Sequence, residues 1–368
     1  MKGRPAQATP RNWVLHDYMQ VNGGAERLVA TIARGYPGMA LGLAGVYPGF
    51  SGTGDLSGVD LRLLGRFPAW FPRIPQALLT FGQRVPCIEH ADAVVYSGIY
   101  TPLAVSSQQR GRRIYYCNTP PRFAFDRLEQ YVGQVPVPAR VVLRSAIAAY
   151  RQGYIRAVGQ MDVVVANSEH VRKRIAEQLQ VEARVVYPAV DIDAFKWKSQ
   201  GDYYLSLGRL EPNKRIDRVV QAFTRMPEKK LVVASGGSQL ESLKRLAGGA
   251  ANIVFVGWSR DEDLIDLIAN ALACIYIPLD EDFGMSAVEA MAAGKPVIGV
   301  AEGGMIETVL DRQTGILLPP DPDVERIAVA VREMTASLAL SMRLPCEQRA
   351  TNFTAKRFLD DLGSFVFG

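Results

Sequence analysis

Four carboxylates in the last third of the chain have the type and spacing expected for binding a sugar. Asp280, Glu281 and Asp282 follow an apolar run, and Glu289 lies eight positions beyond Glu281. Because a carboxylate can accept hydrogen bonds from two adjacent hydroxyls, Glu281 and Glu289 suit two ends of one elongated polyhydroxylated ligand. Two alternatives remain open at this point, namely helix capping by residues 280–282 and a solvated helix face for Glu289.

The elements around these carboxylates predict where they lie. Residues 272–277 are apolar and β-type, and residues 284–293 are helix formers followed by Gly294 and Pro296. The carboxylates therefore occupy the turn before a helix, where free N–H groups and the helix dipole favour a phosphate. The residues expected to supply those N–H groups are Phe283, Gly284, Met285 and Ser286.

Two cations precede this stretch in the same half of the chain. Arg209 ends a predicted strand, and Lys214 begins the next helix. A diphosphate leaving group needs such cations to neutralise its developing charge when no metal does so. Gly257 and Trp258 end another predicted strand at the same sheet edge, where they could flank a nucleotide base. The alternative for Arg209 and Lys214 is generic surface charge.

The first half of the chain offers three further candidates. Gly23 and Gly24 stand at the start of an apolar-periodic helix, where glycine lets the backbone approach a phosphate or sugar closely. The pair is not GxGxxG, which disfavours a dinucleotide-binding oxidoreductase. Asn118 follows another predicted strand, and Arg122 suits a phosphate on an acceptor. An interdomain salt bridge is the alternative for Arg122.

Length and composition bound the architecture. A chain of 368 residues with 48% hydrophobic content can form two domains with full cores, and strands alternate with helices as in doubly wound parallel sheets. No run approaches the roughly 20 apolar residues of a membrane span, and residues 1–10 lack the apolar core of a signal peptide, so we expect a cytoplasmic protein. The four cysteines lack metal-site spacing, and we expect reduced packing residues.

Charge is distributed unevenly along the chain. Residues 1–187 carry a net charge of +10 and residues 188–368 a net charge of −5. Because no nucleic-acid motif accompanies the basic half, we expect no nucleic-acid partner and favour an anionic membrane surface. Solubility charge is the alternative explanation.

Two segments of the basic half could meet such a membrane. Residues 138–158 predict a long helix on which Arg140, Arg144 and Arg151 fall within about 40° of one another. Residues 67–81 mix aromatics with prolines and Arg73, which suits a membrane interface or an acceptor wall. A packed surface loop is the alternative for the second segment.

The glutamate spacing, with Phe283–Gly284 and Gly294–Pro296 around it and Gly303–Gly304 after it, resembles family 4 of the retaining, nucleotide-sugar-dependent glycosyltransferases. The resemblance implies that Glu281 contacts the donor sugar and that Glu289 contacts the ribose of the nucleotide. Residues 203–214 resemble the segment of the family that binds the donor diphosphate, with Arg209 and Lys214 in the matching positions. Residues 115–126 resemble the mannosyltransferase-like members, in which a histidine that contacts the donor sugar stands where this chain has Asn118. Asparagine can bond to a hydroxyl but cannot take up a proton.

The resemblance implies a GT-B fold, with two Rossmann-like α/β domains facing a cleft. We expect an acceptor-binding domain over residues 1–187, a nucleotide-sugar-binding domain over 188–349, and a closing helix over 350–368 that returns to the first domain. The implied reaction is retaining transfer of a hexose, with mannose from GDP-mannose favoured, to a lipid-linked saccharide in bacterial polysaccharide or O-antigen assembly. We expect a peripheral location on the inner face of the plasma membrane.

No residue is an evident base or nucleophile, which favours front-face substitution assisted by the leaving phosphate. We expect no metal and no cofactor, since Asp191 and Asp193 read as a turn and Asp261 and Asp263 as charges at a helix start. Two rival functions remain, a GT-B epimerase or phosphorylase and a non-catalytic nucleotide- or glycan-binding module.

Overall fold

The chain divides into two compact units. The structure, a computed structural model, describes residues 10–20, 23–47, 56–68, 70–258 and 260–368. One unit comprises Met1–Tyr187 with Phe358–Gly368, and the other comprises Pro188–Arg357. The expectation about a signal peptide in residues 1–10 concerns residues that lie almost wholly outside the described part of the chain. Residues 21 and 22, before Gly23, and residue 69, within the aromatic segment 67–81, also lie outside it.

The described part of the first unit contains a seven-stranded parallel sheet with helices connecting the strands. Its strand order is β3-β2-β1-β4-β5-β6-β7. The strands are β1 Asn12–His16, β2 Met39–Leu43, β3 Asp60–Leu63, β4 Ala93–Ser97, β5 Arg112–Cys117, β6 Val163–Ala166 and β7 Arg184–Val185. The helices are α1 Gly24–Gly35, α2 Arg73–Phe81, α3 Leu128–Gly133, α4 Val137–Val158 and α5 Glu169–Leu179. The central strands are buried along nearly their whole length, as expected for a parallel sheet covered on both faces.

The second unit contains a six-stranded parallel sheet in the order β10-β9-β8-β11-β12-β13. The strands are β8 Tyr203–Ser206, β9 Lys230–Ala234, β10 Ile253–Gly257, β11 Ala273–Ile275, β12 Val297–Val300 and β13 Gly315–Leu318. The helices are α6 Ile216–Thr224, α7 Leu240–Ala247, α8 Asp261–Asn270, α9 Met285–Ala292, α10 Met305–Thr308, α11 Val324–Glu333, α12 Ala336–Ser341 and α13 Arg343–Ala350. The expectation of two Rossmann-like parallel sheets is therefore confirmed.

The closing segment differs from the single helix expected over residues 350–368. Helix α13 ends at Ala350, a 3₁₀ turn follows, and α14 spans Ala355–Val366. The break has a tertiary cause, because Phe353 is buried against Phe283 and its carbonyl accepts a hydrogen bond from the Val190 N–H at 2.9 Å. Beyond the break, Phe358 packs on Tyr116 of the first unit with ring centroids 5.7 Å apart.

Several smaller expectations can also be compared with the structure. All four cysteines are free thiols; Cys117, Cys274 and Cys346 are buried and Cys87 is half-buried. Ser168 caps α5 by accepting a hydrogen bond from the Val171 N–H at 3.0 Å. Within the described residues, no helix is both long enough and apolar enough to cross a membrane.

Candidate functional site

The second sheet reverses its strand order between β8 and β11, and the predicted residues collect there. Strands β8, β9 and β10 follow one another outward on one side of the reversal, and β11, β12 and β13 follow one another outward on the other. In an open parallel sheet, ligands bind beyond the carboxyl ends of the strands at such a reversal. Arg209 follows β8 and is exposed, and Glu281 lies in the turn that follows β11. Strand order therefore brings together residues that are more than 70 positions apart.

Lys214 and Glu281 form an ion pair in this crevice. The Lys214 ammonium lies 2.7 Å from a Glu281 carboxylate oxygen, and only 14% and 19% of the two side chains are exposed. The backbone is joined at the same place, since the Leu279 N–H donates to the Asn213 carbonyl at 2.7 Å. The sequence assigned Lys214 to a diphosphate and Glu281 to a sugar but did not predict this direct contact. Each charge is therefore partly neutralised by the other.

Tyr276 stands at the centre of the crevice, and the sequence analysis did not single it out. Its hydroxyl accepts a hydrogen bond from Lys214 at 2.9 Å, and the same ammonium lies 5.1 Å from the centre of its ring. Burial raises the pKa of Tyr276 far above its usual value, and the negative charges of Glu281 and Glu289 raise it further, whereas Arg209 acts in the opposite direction. The hydroxyl therefore stays protonated. It interacts electrostatically with Glu281, Glu289 and Arg209 and is hydrogen-bonded to Lys214.

A glycine admits the Tyr276 ring to this position. Gly208 has a φ of +106°, and an added Cβ would lie 3.1 Å from the ring. The signal for Tyr276 was available in the sequence as one polar aromatic directly after an apolar strand. Its role depends on contacts that only the fold provides.

Hydrogen bonds from the loop of residues 302–304 also hold the acidic turn of residues 280–282 in place. The Asp280 N–H donates to a Glu302 carboxylate oxygen at 3.1 Å, and Glu302 pairs with the buried Arg215 at 2.8 Å. The Glu281 carbonyl accepts from the Gly304 N–H at 2.7 Å, and an added Cβ on Gly303 would lie 2.4 Å from that carbonyl oxygen. The Gly-Gly pair thus allows one loop to pack directly on the backbone of another.

Helix α9 begins as expected, but not through the capping alternative. Gly284 is its N-cap residue with a φ of +96°, and glycine has no side chain that could accept a hydrogen bond there. None of residues 280–282 is therefore the N-cap residue of α9. The Phe283 side chain is buried, so this residue can address a ligand only through its backbone, whereas Met285 and Ser286 are half-buried.

Glu289 lies on the inward face of α9. Only 6% of the residue is exposed, which excludes the solvated face left open by the sequence. A carboxylate buried to this degree must be paired or hydrogen-bonded, because burial of an unpaired charge is costly. Its environment is that of a binding or structural carboxylate.

Trp258 presents an exposed aromatic surface after β10. The side chain is 73% exposed, and its ring lies over Gly236, where an added Cβ would be 2.2 Å from the indole nitrogen. The Gly236 carbonyl in turn accepts from the Leu210 N–H at 3.0 Å, next to Arg209. Gly257 has a φ of +70°, which glycine adopts without strain. An indole at the rim of the crevice suits stacking on a base.

The candidates of the first unit lie at the carboxyl edge of their own sheet. Asn118 follows β5 and is half-buried. Arg122 pairs with Asp126, four residues ahead in the same segment, at 2.5 Å. Gly23 precedes α1 and Gly24 begins it, both half-buried; the φ of Gly23, −85°, is one that any residue can adopt.

Buried polar residues also organise the reversal point of the first sheet, between β1 and β4. The His16 Nδ1–H donates to the Ser97 carbonyl at 2.6 Å, and burial lowers the pKa of His16 to about 4, which keeps the imidazole neutral. Asp17 accepts from the N–H groups of Ile99, Tyr100 and Thr101 at 2.8, 2.9 and 3.1 Å. Neither residue was among the candidates from the sequence.

The carboxylates weighed as metal ligands have nearby cations. Asp193 pairs with Lys196 at 3.0 Å, and Asp263 pairs with Arg260 at 3.0 Å in the first turn of α8. Over the described ranges, no group of three or more histidine, cysteine, aspartate or glutamate side chains could hold a metal ion.

Comparison with known proteins agrees with this geometry. Residues 190–351 match the glycosyl transferases group 1 family. The chain is 24% identical over 321 residues to the alpha-1,3/1,6-mannosyltransferase ALG2 of Mus musculus, which covers 76% of this chain and 74% of the relative. It is 32% identical over 212 residues to the GDP-mannose-dependent alpha-(1-6)-phosphatidylinositol monomannoside mannosyltransferase of Mycolicibacterium smegmatis, which covers 50% and 55% of the two chains. The chain thus spans only about half the length of that relative.

A solved structure extends the likeness to both units. The sucrose-phosphate synthase of Thermosynechococcus elongatus superposes with a TM-score of 0.76 at 17% identity, covering 96% of this chain and 98% of the other. Likeness at this identity shows the fold alone. The chain therefore has a GT-B fold, as the sequence led us to expect, and the part of its second unit over residues 190–351 is similar to the glycosyl transferases group 1 family.

Proposed function

We propose that this chain is a retaining, metal-independent glycosyltransferase that moves mannose from GDP-mannose to a lipid-linked saccharide. The observation that carries the proposal is the cluster of Arg209, Lys214, Glu281 and Glu289 around the Tyr276 hydroxyl at the strand reversal of the second sheet. Two cations and two carboxylates at one sheet edge suit a ligand with a diphosphate between two polyhydroxylated groups. A nucleotide sugar has this composition.

Each residue has a role in the proposed reaction. The diphosphate approaches the N-terminus of α9, whose N–H groups favour an anion, and Arg209 and Lys214 neutralise the charge that develops on the departing β-phosphate. Glu289 holds the ribose, and Trp258 with Gly257 flanks the base. Glu281 holds sugar hydroxyls so that the anomeric carbon stays in line with its leaving group.

The Lys214–Glu281 ion pair gives the donor a defined effect on the site. Lys214 donates hydrogen bonds to both Glu281 and Tyr276, and a donor phosphate would compete for the same ammonium. When the ammonium turns to the phosphate, a Glu281 oxygen becomes available to sugar hydroxyls. Diphosphate and sugar would therefore engage the site together, while the protonated Tyr276 keeps Lys214 in place.

The names of two relatives and two residues of the first unit support the choice of mannose and of a lipid acceptor. Two relatives are mannosyltransferases by name, and one of these is named for GDP-mannose and a phosphatidylinositol monomannoside. In the first unit, Asn118 would bond to the donor sugar and Arg122 would exchange Asp126 for an acceptor phosphate. The two glycines at the start of α1 would face the donor phosphates or the acceptor.

The location we propose is the inner face of an anionic membrane, with α4 as the contact. Helix α4 exposes Val141 and Val142 at 70% and 71%, next to Arg144. Exposed aliphatic groups beside cations suit an anionic lipid surface.

Turnover with and without an acceptor tests the function. GDP-mannose should release GDP rapidly only when a lipid pyrophosphate saccharide is present, and the mannosyl product should keep the anomeric configuration of the donor. Acceptor-independent consumption would indicate an epimerase, and phosphate-dependent formation of a sugar phosphate would indicate a phosphorylase. Binding of the nucleotide sugar without turnover of any acceptor would indicate a binding module.

A further inference from the structure

A concave apolar surface lies on the first unit between the end of β3 and helix α2. It encloses a cavity of about 550 Å³, within the range of ligand pockets. We call it the α2 groove, and its apolar wall consists of Leu63, Leu64, Phe67, Leu79, Val85 and Pro86. None of the residues that we assign to the donor lines this cavity, so it is distinct from the proposed donor site.

Large hydrophobic side chains are unusually exposed along this groove. Leu63 is 62% exposed at its mouth, and Trp70 is 82% exposed beside it. Phe67 and Phe71 stack with ring centroids 4.4 Å apart, and Trp70 meets the edge of Phe71 at 6.4 Å. Clustered apolar surface of this kind marks a site of interaction, whereas singly scattered residues do not.

The groove is formed before any ligand arrives. The buried Gln76 donates to the carbonyls of Ala44 and Phe67 at 2.6 and 3.3 Å, and it accepts from the Tyr47 hydroxyl at 2.6 Å. Gly65 allows the close approach, since an added Cβ would lie 1.9 Å from the Ala44 carbonyl oxygen. The hydrogen bonds of Gln76 thus hold the backbone at Phe67 in place.

The charge around the groove is positive. Two arginines are offset locally, because Arg62 pairs with Asp60 at 2.6 Å and Arg84 pairs with Glu89 at 2.5 Å. Residues 60–89 contain four arginines and two carboxylates, so Arg66 and Arg73 give this segment a net positive charge. Arg66 is exposed and lines the cavity. An apolar groove rimmed by cations complements a hydrocarbon chain below an anionic headgroup.

We propose that the α2 groove binds the hydrocarbon chains of an anionic bilayer, with Trp70 at the level of the headgroups and Arg66 against lipid phosphate. Exposed tryptophan and arginine at a membrane–water interface fit this placement. A second copy of the chain fits poorly, because a symmetric contact would set Arg66 and Arg73 against their own copies. The inference rests on the proposed membrane location but assigns lipid contact to α2 in addition to α4.

Vesicle binding by matched variants tests the proposal. The full chain is titrated with vesicles of equal parts phosphatidylglycerol and phosphatidylcholine, as wild type and as Leu63→Asp and Trp70→Ser variants. Each groove variant should bind at least about tenfold more weakly, the loss expected for one large apolar side chain that no longer enters the bilayer. The control Val329→Asp, at a 52% exposed valine on α11, should bind as wild type. Equal binding by all four proteins overturns the proposal.

Cys87 supplies a second readout that does not depend on the variants. It lines the groove and is half-buried, while the other three cysteines are buried, so a small thiol reagent should label Cys87 alone. Burial raises the pKa of its thiol to about 11, which calls for a mildly alkaline pH. Labelling should slow at least about fivefold with the anionic vesicles, corresponding to about 1 kcal/mol of protection, and Cys87→Ser gives the blank.

The outcomes separate this proposal from the proposed function. Labelling that stays fast while the protein is bound to vesicles overturns the groove. If labelling instead slows as the protein concentration rises in the absence of vesicles, a second copy of the chain covers the groove. This result would also overturn the proposal. Mannosyl transfer to a lipid pyrophosphate saccharide dispersed in detergent needs no bilayer, so its success or failure reports on the proposed function alone.

Discussion

The Lys214 ammonium and the Glu281 carboxylate form a 2.7 Å ion pair although 67 residues separate them in the chain. Both belong to loops that leave adjacent strands at the reversal of the second sheet, and both are largely shielded from water. A shielded pair is a poor source of stability but a good device for presenting charge. We therefore expect substitutions here to change catalysis more than folding.

Removal of either cation should slow the reaction strongly. Arg209→Ala and Lys214→Ala are each expected to lower turnover about 100-fold or more, the scale for a lost electrostatic stabiliser, with thermal unfolding little changed. Lys196→Ala removes an exposed lysine from the same unit and serves as the control. Near-normal rates in both site variants would take these two residues out of the mechanism.

Tyr276→Phe tests whether the hydroxyl positions Lys214. The variant keeps the ring beneath the ammonium but removes the 2.9 Å hydrogen bond. We expect kcat to fall about tenfold or more, because a hydrogen bond to a charged group contributes about 1.5–3 kcal/mol. The KM for the donor should change less. A proportional loss of folding stability with unchanged kcat would make Tyr276 a packing residue only.

The reaction should not need a divalent metal. Activity is expected to survive EDTA, because Arg209 and Lys214 take the place of a metal at the diphosphate. A complete loss that Mg²⁺ or Mn²⁺ restores would contradict this expectation. It would turn attention to Asp191 with Asp193 and to Asp261 with Asp263.

Helix α4 carries the membrane prediction made from the sequence. Reversing Arg144 and Arg151 to glutamate should weaken binding to anionic vesicles about tenfold to a hundredfold, since each basic residue near such a surface contributes about 1 kcal/mol. Arg144 already pairs with Glu129 at 2.5 Å, and Arg151 lies 4.7 Å from the centre of the Phe125 ring. A loss confined to one variant would identify which of them faces lipid, and salt-insensitive binding to neutral vesicles would refute the electrostatic contact.

The local parts of the site could be predicted because local residues determine them. Pro278 follows strand β11, Gly284 is the N-cap residue of helix α9 and Gly294 follows the end of that helix. The turn that carries Glu281 could therefore be predicted from neighbouring residues alone. The pair of Arg122 with Asp126 is likewise local, because the two residues are four positions apart.

The remainder depended on tertiary contacts. The ion pair of Lys214 with Glu281 requires that β8 lie beside β11, and strand order has no local signature. The closing helix was placed by the helical spacing of its phenylalanines, but burial of Phe353 against Phe283 interrupts it. Tyr276 looked like one more strand residue, because its importance comes from the charges that the fold places around it.

The sharpest prediction separates the two glutamates of the site. Glu289→Gln should weaken both GDP-mannose and free GDP by about 1.5–3 kcal/mol, because it removes a charged hydrogen bond to the ribose that both ligands share. Glu281→Gln should leave GDP affinity unchanged and should lower turnover most, since its contact holds the anomeric carbon while positive charge develops there. Calorimetry with GDP and steady-state kinetics with GDP-mannose measure the two effects, with Glu241→Gln on the exposed side of α7 as control. Equal weakening of GDP by both site variants would collapse the assignment, and a sugar trapped covalently on Glu281 would replace front-face substitution by double displacement.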